Sequence, residues 1–191
     1  MKSQLLFLIF AGVGIVSCSK NSIVEPPTNT DSQPVVSFAA GNQYYIHYVN
    51  AQGIMLVDWY QWLSILRDTT IQGNKFYVFS TGEILRSTNI AVTRWTGSLE
   101  SVWYPFNVKT GDTAWVAGYK TLISDVYTDS IFSEPQKIVE VTNAGFTADT
   151  VFRGRYCTKF GLLFTQKSFS SQSWQTGLAG AKMDSIFYGY L

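Results

Sequence analysis

The chain carries one histidine, His47. Any Ser-His-Asp or Cys-His arrangement must recruit it, because each needs a general base beside its nucleophile. It lies in the aromatic run Tyr44-Tyr45-Ile46-His47-Tyr48, and no spacing brings it near Cys157. One histidine and one spare thiol fall short of a zinc ligand set. The acids Asp58, Asp68, Glu83, Glu100, Asp125, Glu134 and Glu140 are scattered, whereas glycoside hydrolysis needs two carboxyl groups facing each other across roughly 5–10 Å. No Gly-rich phosphate loop or dinucleotide fingerprint is present. The expectation is a protein with no catalytic residues, no metal and no cofactor. A hydrolase assembled from the scattered acids stays as an alternative.

Aromatic side chains are the stronger chemical hint. They make up 16% of the chain, with 6 Trp, 11 Tyr and 13 Phe. Tyr44, Trp59, Trp62, Trp95, Trp103 and Trp115 could form a platform for a sugar ring or an apolar ligand, since each ring has an apolar body and, for Tyr and Trp, a polar handle. The same residues could equally be ordinary core. Cys157 reads as a small buried apolar residue, the usual fate of a free cysteine.

Cys18 has a more specific context. Lys2 precedes the uncharged apolar stretch Leu5 to Val16, which has the order of a secretory signal. The stretch is too short to span a bilayer, which takes roughly 20 residues. It runs into Ile15-Val16-Ser17-Cys18, which resembles the bacterial lipobox. That resemblance implies cleavage before Cys18, fatty-acyl (palmitate-type) chains on that cysteine, and an anchored envelope lipoprotein. Two or more acyl chains hold a protein stably where one does not. The outer membrane is the expected location. No acidic run follows Cys18, which favours the periplasmic face over the cell surface.

Formal net charge is +1. Removing residues 1–17 removes Lys2 and no acid, which leaves the remainder neutral. A nucleic-acid partner would require a clustered basic face, so none is expected. Charged residues are 14% of the chain, well below the usual quarter. The composition therefore supports a real core.

The elements follow from this composition. Residues 1–17 read as a signal peptide. Residues 18–42 read as a polar, Pro-rich tether with little apolar surface to bury. Residues 43–191 read as one all-β antiparallel domain, a curled sheet, sandwich or open barrel, built from short β-branched and aromatic runs between turn residues. Strands are expected at Tyr44–Val49, Lys75–Ser80, Ile90–Trp95, Ser101–Tyr104, Ala114–Ile123, Ile138–Thr142, Tyr156–Gln166 and Ile186–Tyr190. Gln72-Gly73-Asn74 reads as a hairpin turn. Ile54 to Leu66 carries some helical spacing, but its aromatic and β-branched content favours strand. A recurring Asp-Ser/Thr-apolar-aromatic pattern, as at Asp112, Asp129, Asp149 and Asp184, reads as turn punctuation before strands. Tyr44–Val49 is apolar on both faces, which suits a sheet curled on itself or one whose second face is covered.

Several of these segments carry a family likeness. Asp68 to Phe79, Tyr104 to Thr113 with its closing Gly111-Asp112-Thr113, Tyr156 to Leu163, and Leu178 to Asp184 leading to Tyr188-Gly189 resemble secreted and lipid-anchored β-domain proteins of Bacteroidota-type bacteria. The late strand departs from that pattern by lacking an acidic-Gly pair. The resemblance implies an all-β domain and carries over no catalytic residue. The expected role is non-catalytic, in binding an envelope partner or holding envelope architecture. The alternative is a small-ligand module gripping lipid or glycan in an aromatic-lined concavity.

Overall fold

The computed structural model describes residues 34–143, 150–169 and 172–189. Among them there is no helix. Thirteen strands follow one another: β1 (Gln43–Gln52), β2 (Met55–Ile71), β3 (Asn74–Phe79), β4 (Ile84–Ser87), β5 (Ala91–Trp95), β6 (Glu100–Pro105), β7 (Thr113–Val116), β8 (Tyr119–Ile131), β9 (Glu134–Asn143), β10 (Thr150–Cys157), β11 (Gly161–Phe169), β12 (Gln172–Met183) and β13 (Ile186–Gly189).

Each strand from β1 to β5 pairs antiparallel with the next, and so does each from β7 to β12. β1 then pairs with β12 along its whole length. The chain is thus a single up-and-down meander bent into a ring. Its one weak seam lies between β6 and β7, bridged where the Ala117 amide donates to the Trp103 carbonyl at 2.8 Å. The domain is all-β, with one antiparallel sheet nearly closed into a barrel. Closure removes most of the unpaired strand edge that an open sheet would present.

Local chemistry explains the turns. β2 and β3 meet at Gln72-Gly73 with φ of 51° and 76°, the left-handed pair that a two-residue hairpin demands. Two expected strands prove to be hairpins. Ala114–Ile123 is broken at Ala117-Gly118, with φ of 50° and 84°, into β7 and β8. Tyr156–Gln166 is broken at 158–160 into β10 and β11. The first run stays apolar through Ala117-Gly118, so hydropathy hides its reversal, whereas the second is interrupted by Thr158-Lys159, a polar break at the turn. The 54–66 segment is strand from Met55 onward, with Ile54 in the preceding turn, and β2 is the longest element. Asp112 accepts the Lys109 amide at 2.7 Å just before β7, and Asp184-Ser185 makes the turn before β13. Asp129 departs from the pattern: it lies inside β8, and the turn comes later at Phe132-Ser133. Asp149 lies outside the described residues.

About eight strands make a barrel whose own side chains fill it. Twelve enclose more space, and the chain fills one end with its N-terminal approach. Val35 donates its amide to the Thr88 carbonyl at 2.8 Å, and Val36 donates to the Ser87 hydroxyl at 2.9 Å. Val36 is fully buried, and on its other side it sits close to Gly161 of β11. It therefore reaches from β4 across to β11. Phe38 follows, edge-on to Tyr77 and Phe79. The expected tether thus gives way to packed chain by Val35; its residues 18–33, and the signal segment with Cys18, lie outside the described residues.

Candidate functional site

Strand alternation sorts the aromatic residues onto two faces. On β1, Tyr44, Ile46 and Tyr48 point inward, and Tyr45 and His47 point outward. Their cross-strand partners on β2 follow suit: Leu63 opposes Tyr44, and Trp62 opposes Tyr45. The outward set stacks into a ladder. Trp62 lies 4.8 Å from Tyr45, Tyr45 lies 5.2 Å from Tyr60, and Tyr60 lies 4.3 Å from His47. This ladder is why β1 reads as apolar on both faces.

The inward set lines a cavity of about 590 Å³ in the barrel. Its deep end, beside the N-terminal plug, is bounded by Phe38, Tyr44, Phe79, Leu85, Tyr104 and Phe160. All but Phe38 are buried. Its mouth lies toward the turns 53–54, 80–83 and 117–118. There Tyr48, Glu83, Arg94, Trp103, Tyr119 and Lys167 line it, each half-buried. The Arg94 guanidinium stands 4.5 Å from the Trp103 ring centroid, and the Lys167 ammonium 4.7 Å from that of Tyr119. Both cations thus lie over ring faces, which attract them.

Tyr44 is the anomaly. It is 5% exposed, its ring stacks on Phe79, and its hydroxyl is buried with no hydrogen-bond partner. Burial raises its pKa far above the usual phenol value, and the nearby Cys157 thiol adds to the shift. The phenol is therefore a neutral group with a free donor. Other deep tyrosines are satisfied. Tyr156 donates to the Pro105 carbonyl at 2.7 Å. Tyr104 is also raised, chiefly by burial and secondarily by Glu83, with the Trp103 side chain hydrogen-bonding it in opposition. Burial pushes the Cys157 thiol up to about 11, against backbone hydrogen bonds from residues 159–161 that lower it.

The six residues singled out from sequence divide. Tyr44 and Trp103 line the cavity. Trp59 stacks on Tyr48 at 5.1 Å and is 42% exposed. Trp62 belongs to the outer ladder, Trp95 packs edge-on against Phe76, and Trp115 is exposed on β7. Of the mouth residues, Arg94, Tyr119 and Lys167 went unnoticed in the sequence, Glu83 figured only among the scattered acids, and Tyr48 only in the aromatic run of β1. The signal for Tyr48 was its even parity with Tyr44. The others depend on ring closure, which brings β4, β5, β8 and β11 around one space.

The acids do not gather. Asp68 pairs with Lys75 at 2.7 Å, Glu100 with Arg86 at 3.4 Å, and Glu134 with Lys159 at 3.1 Å. Glu140 accepts from the Tyr127 hydroxyl at 2.8 Å, and Asp125 accepts from its neighbour's amide. Among them only Glu83 lines the cavity. His47 Nε2 lies 3.6 Å from Asp58, on the outer face, away from buried Cys157. Among the described residues no three His, Cys, Asp or Glu side chains come together as a metal site, and no helix is long and apolar enough to cross a membrane. Comparison with family models, with curated proteins and with solved structures finds no match to this chain.

Proposed function

We propose that this protein is a non-catalytic binding module that holds one small apolar or amphipathic molecule inside its barrel. One observation carries the reading: a cavity of about 590 Å³ inside the barrel, walled mainly by apolar and aromatic side chains, with Glu83, Arg94 and Lys167 among its polar lining residues. The volume falls in the range of about 300–1,000 Å³ usual for ligand sites, and an apolar wall with a few polar groups is their usual chemistry.

The test is a neutral, environment-sensitive fluorophore such as N-phenyl-1-naphthylamine. Its emission should rise saturably on titration with the protein. Thr176→Trp, a half-buried lining position on β12, should abolish the rise while circular dichroism stays unchanged. An undiminished rise in that variant would refute binding in the lumen.

A second reading, docking of an envelope partner, is favoured by the β1–β2 hairpin tip. Ile54, Met55, Leu56 and Val57 are all exposed there, an unusual apolar run for open surface. Either role suits a protein fixed to the outer membrane, with its domain facing the periplasm, by acyl chains on Cys18. Metabolic labelling with a fatty-acid analogue tests the anchor. Cys18→Ala should abolish the label, and normal labelling would refute it.

A further inference from the structure

The barrel wall carries a second concavity on its outer side, opposite the lumen. Glu140, Thr142, Arg153, Arg155, Phe164 and Gln166 line a groove of about 520 Å³ across β9, β10 and β11. Phe152 and Thr165 alternate with them along the strands and face the lumen instead. Arg153 is paired with no acid among the described residues. Arg155 stands 4.0 Å from Glu140, which already accepts the Tyr127 hydroxyl at 2.8 Å. The groove therefore carries one unmatched cation.

Beyond Phe164 lies Gly177 of β12, which is cross-strand from Phe164 on one side and from His47 on the other. Glycine in a strand interior gives up packing and backbone entropy, and it often marks a close approach by something else. At Gly154 that something is the core, since an added Cβ would meet Val141 at 3.2 Å. At Gly177 the backbone is not left-handed, and an added Cβ would meet nothing within 4 Å. Neighbouring aromatic rings can fold over such a glycine, and neither Phe164 nor His47 does. His47 stacks on Tyr60 of β2 at 4.3 Å and 9°, which leaves its other face toward β12. Phe164 has the Arg155 guanidinium on its β10 side, 5.7 Å from the ring centroid, which leaves its other face toward β12 as well. The two rings stand on strands roughly 10 Å apart and wall a slot whose floor is Gly177.

We infer that this outer face holds a carboxylated glycan. One pyranose stands over Gly177, its C–H faces against Phe164 and His47. The next sugar lies beyond Phe164 in the groove, with its carboxylate against Arg153. Its hydroxyls meet the donors and acceptors of Arg155, Glu140, Thr142 and Gln166. A peptide strand has no free edge to join here, because β9 to β12 are each paired on both sides. A nucleic acid would bring its phosphates against Glu140 and against Asp58, which lies beside His47 on the same face. The site is separate from the lumen and does not rest on the lumen-binding reading.

The test is isothermal titration calorimetry of the purified protein with galacturonate, mannuronate and hyaluronan hexasaccharides, each beside its carboxyl-reduced form. At least one acidic chain should bind, about tenfold tighter than its reduced counterpart. Arg153→Gln should erase that difference. Phe164→Ala should weaken both forms about tenfold. Gly177→Val should abolish binding while raising the thermal midpoint, because a β-branched side chain suits an open strand position. Binding by none of the three chains overturns the inference. So do undiminished binding in Phe164→Ala and a preference for the acid that survives Arg153→Gln. Binding retained in Gly177→Val overturns it as well. A lowered midpoint in Gly177→Val does the same, since the space would then be filled by the fold itself.

Discussion

The two ends of the barrel use the same residue types to opposite effect. At the plugged end, aromatic rings are packed and their polar atoms are answered. Tyr156 meets Tyr104 at 5.2 Å and Phe106 at 5.1 Å, and its hydroxyl reaches the Pro105 carbonyl. Lys137 caps the Phe106 carbonyl at 2.7 Å. Gln136 receives both the Thr158 hydroxyl and the Lys159 amide. At the open end, rings still stack, Tyr48 on Trp59 at 5.1 Å and Tyr119 on Phe152 at 4.7 Å, but Tyr48 and Tyr119 are only half-buried, Arg94 and Lys167 rest on ring faces, and the strands run on past the packed layer into an exposed hairpin. Tyr44 lies where the two regimes meet: buried like the first, unanswered like the second. The difference teaches that the plugged end supplies stability and the open end is held in shape by it.

The largest effect should come from breaking the plugged end. Tyr156 is among the largest fully buried side chains. Tyr156→Ala removes a ring from a close-packed cluster and strands the Pro105 carbonyl, so it should cost about 3–5 kcal/mol, read by denaturant unfolding. Such a loss would take a large share of the stability of a typical domain. A small loss would show that the plugged end is not the stabilising half.

Next in size is an alkaline effect at the same end. The Cys157 thiol is raised from 9.0 to about 11 when folded. A group protonated more tightly in the folded state adds stability that is complete below its unfolded pKa and is lost as pH rises through the folded one. Folding should therefore weaken between about pH 9 and pH 11, by a figure of the order of 2 kcal/mol. Cys157→Ala should flatten that part of the profile. Cys18→Ala leaves Cys157 as the only thiol of the two in the chain. It should resist a thiol reagent at pH 8 until denaturant is added. Rapid labelling of the folded protein would place the thiol outside the packed layer.

A paired substitution then compares the two regimes at one functional group. Tyr156→Phe removes a hydroxyl that is bonded, so it should destabilise by about 1 kcal/mol. Tyr44→Phe removes one that is buried and unpaired, so it should be neutral or stabilise by a similar amount. Equal losses in the two variants would mean that Tyr44 has a partner inside the folded protein, and the contrast between the ends would narrow.

How much of this was legible in the sequence follows from which forces act locally. The Gln72-Gly73 hairpin was, because turn geometry depends on adjacent residues. So was the all-β class, because alternation and β-branched content act within one strand. The strand reversal at Ala117-Gly118 was hidden in an apolar run, and the one at 158–160 was marked only by Thr158-Lys159, a pair that also suits an exposed strand position. The role of Val36 was hidden too, since its neighbours Ser87 and Gly161 are distant in sequence. The candidate site was half legible. Tyr44 could be named because rings are conspicuous. Arg94 and Lys167 could not, because a solitary basic residue in a strand carries no sign of which face it occupies until the ring closes and the bulges in β6 and β11 set the local parity.

The smallest effect should come from the open end, and it bears on what that end is for. Ile54 is fully exposed, and Leu56 is 68% exposed, so neither contributes burial to the isolated fold. Ile54→Lys and Leu56→Thr should change unfolding free energy by less than about 0.5 kcal/mol. That insensitivity is what gives the hairpin its meaning. Apolar side chains that do nothing for stability carry the hazard of nonspecific association. Such an exposed run is explained only if something outside the fold uses it, whether an incoming amphiphile on its way to the adjacent mouth or a partner surface. The two substitutions separate these uses. If the hairpin serves the lumen, they should slow the association of N-phenyl-1-naphthylamine and leave its equilibrium affinity nearly unchanged, because the cavity wall is untouched. If it serves a partner, stopped-flow association should be the same as in the native protein. A stability loss above 1 kcal/mol would break the contrast itself, since the tip would then belong to the packed structure.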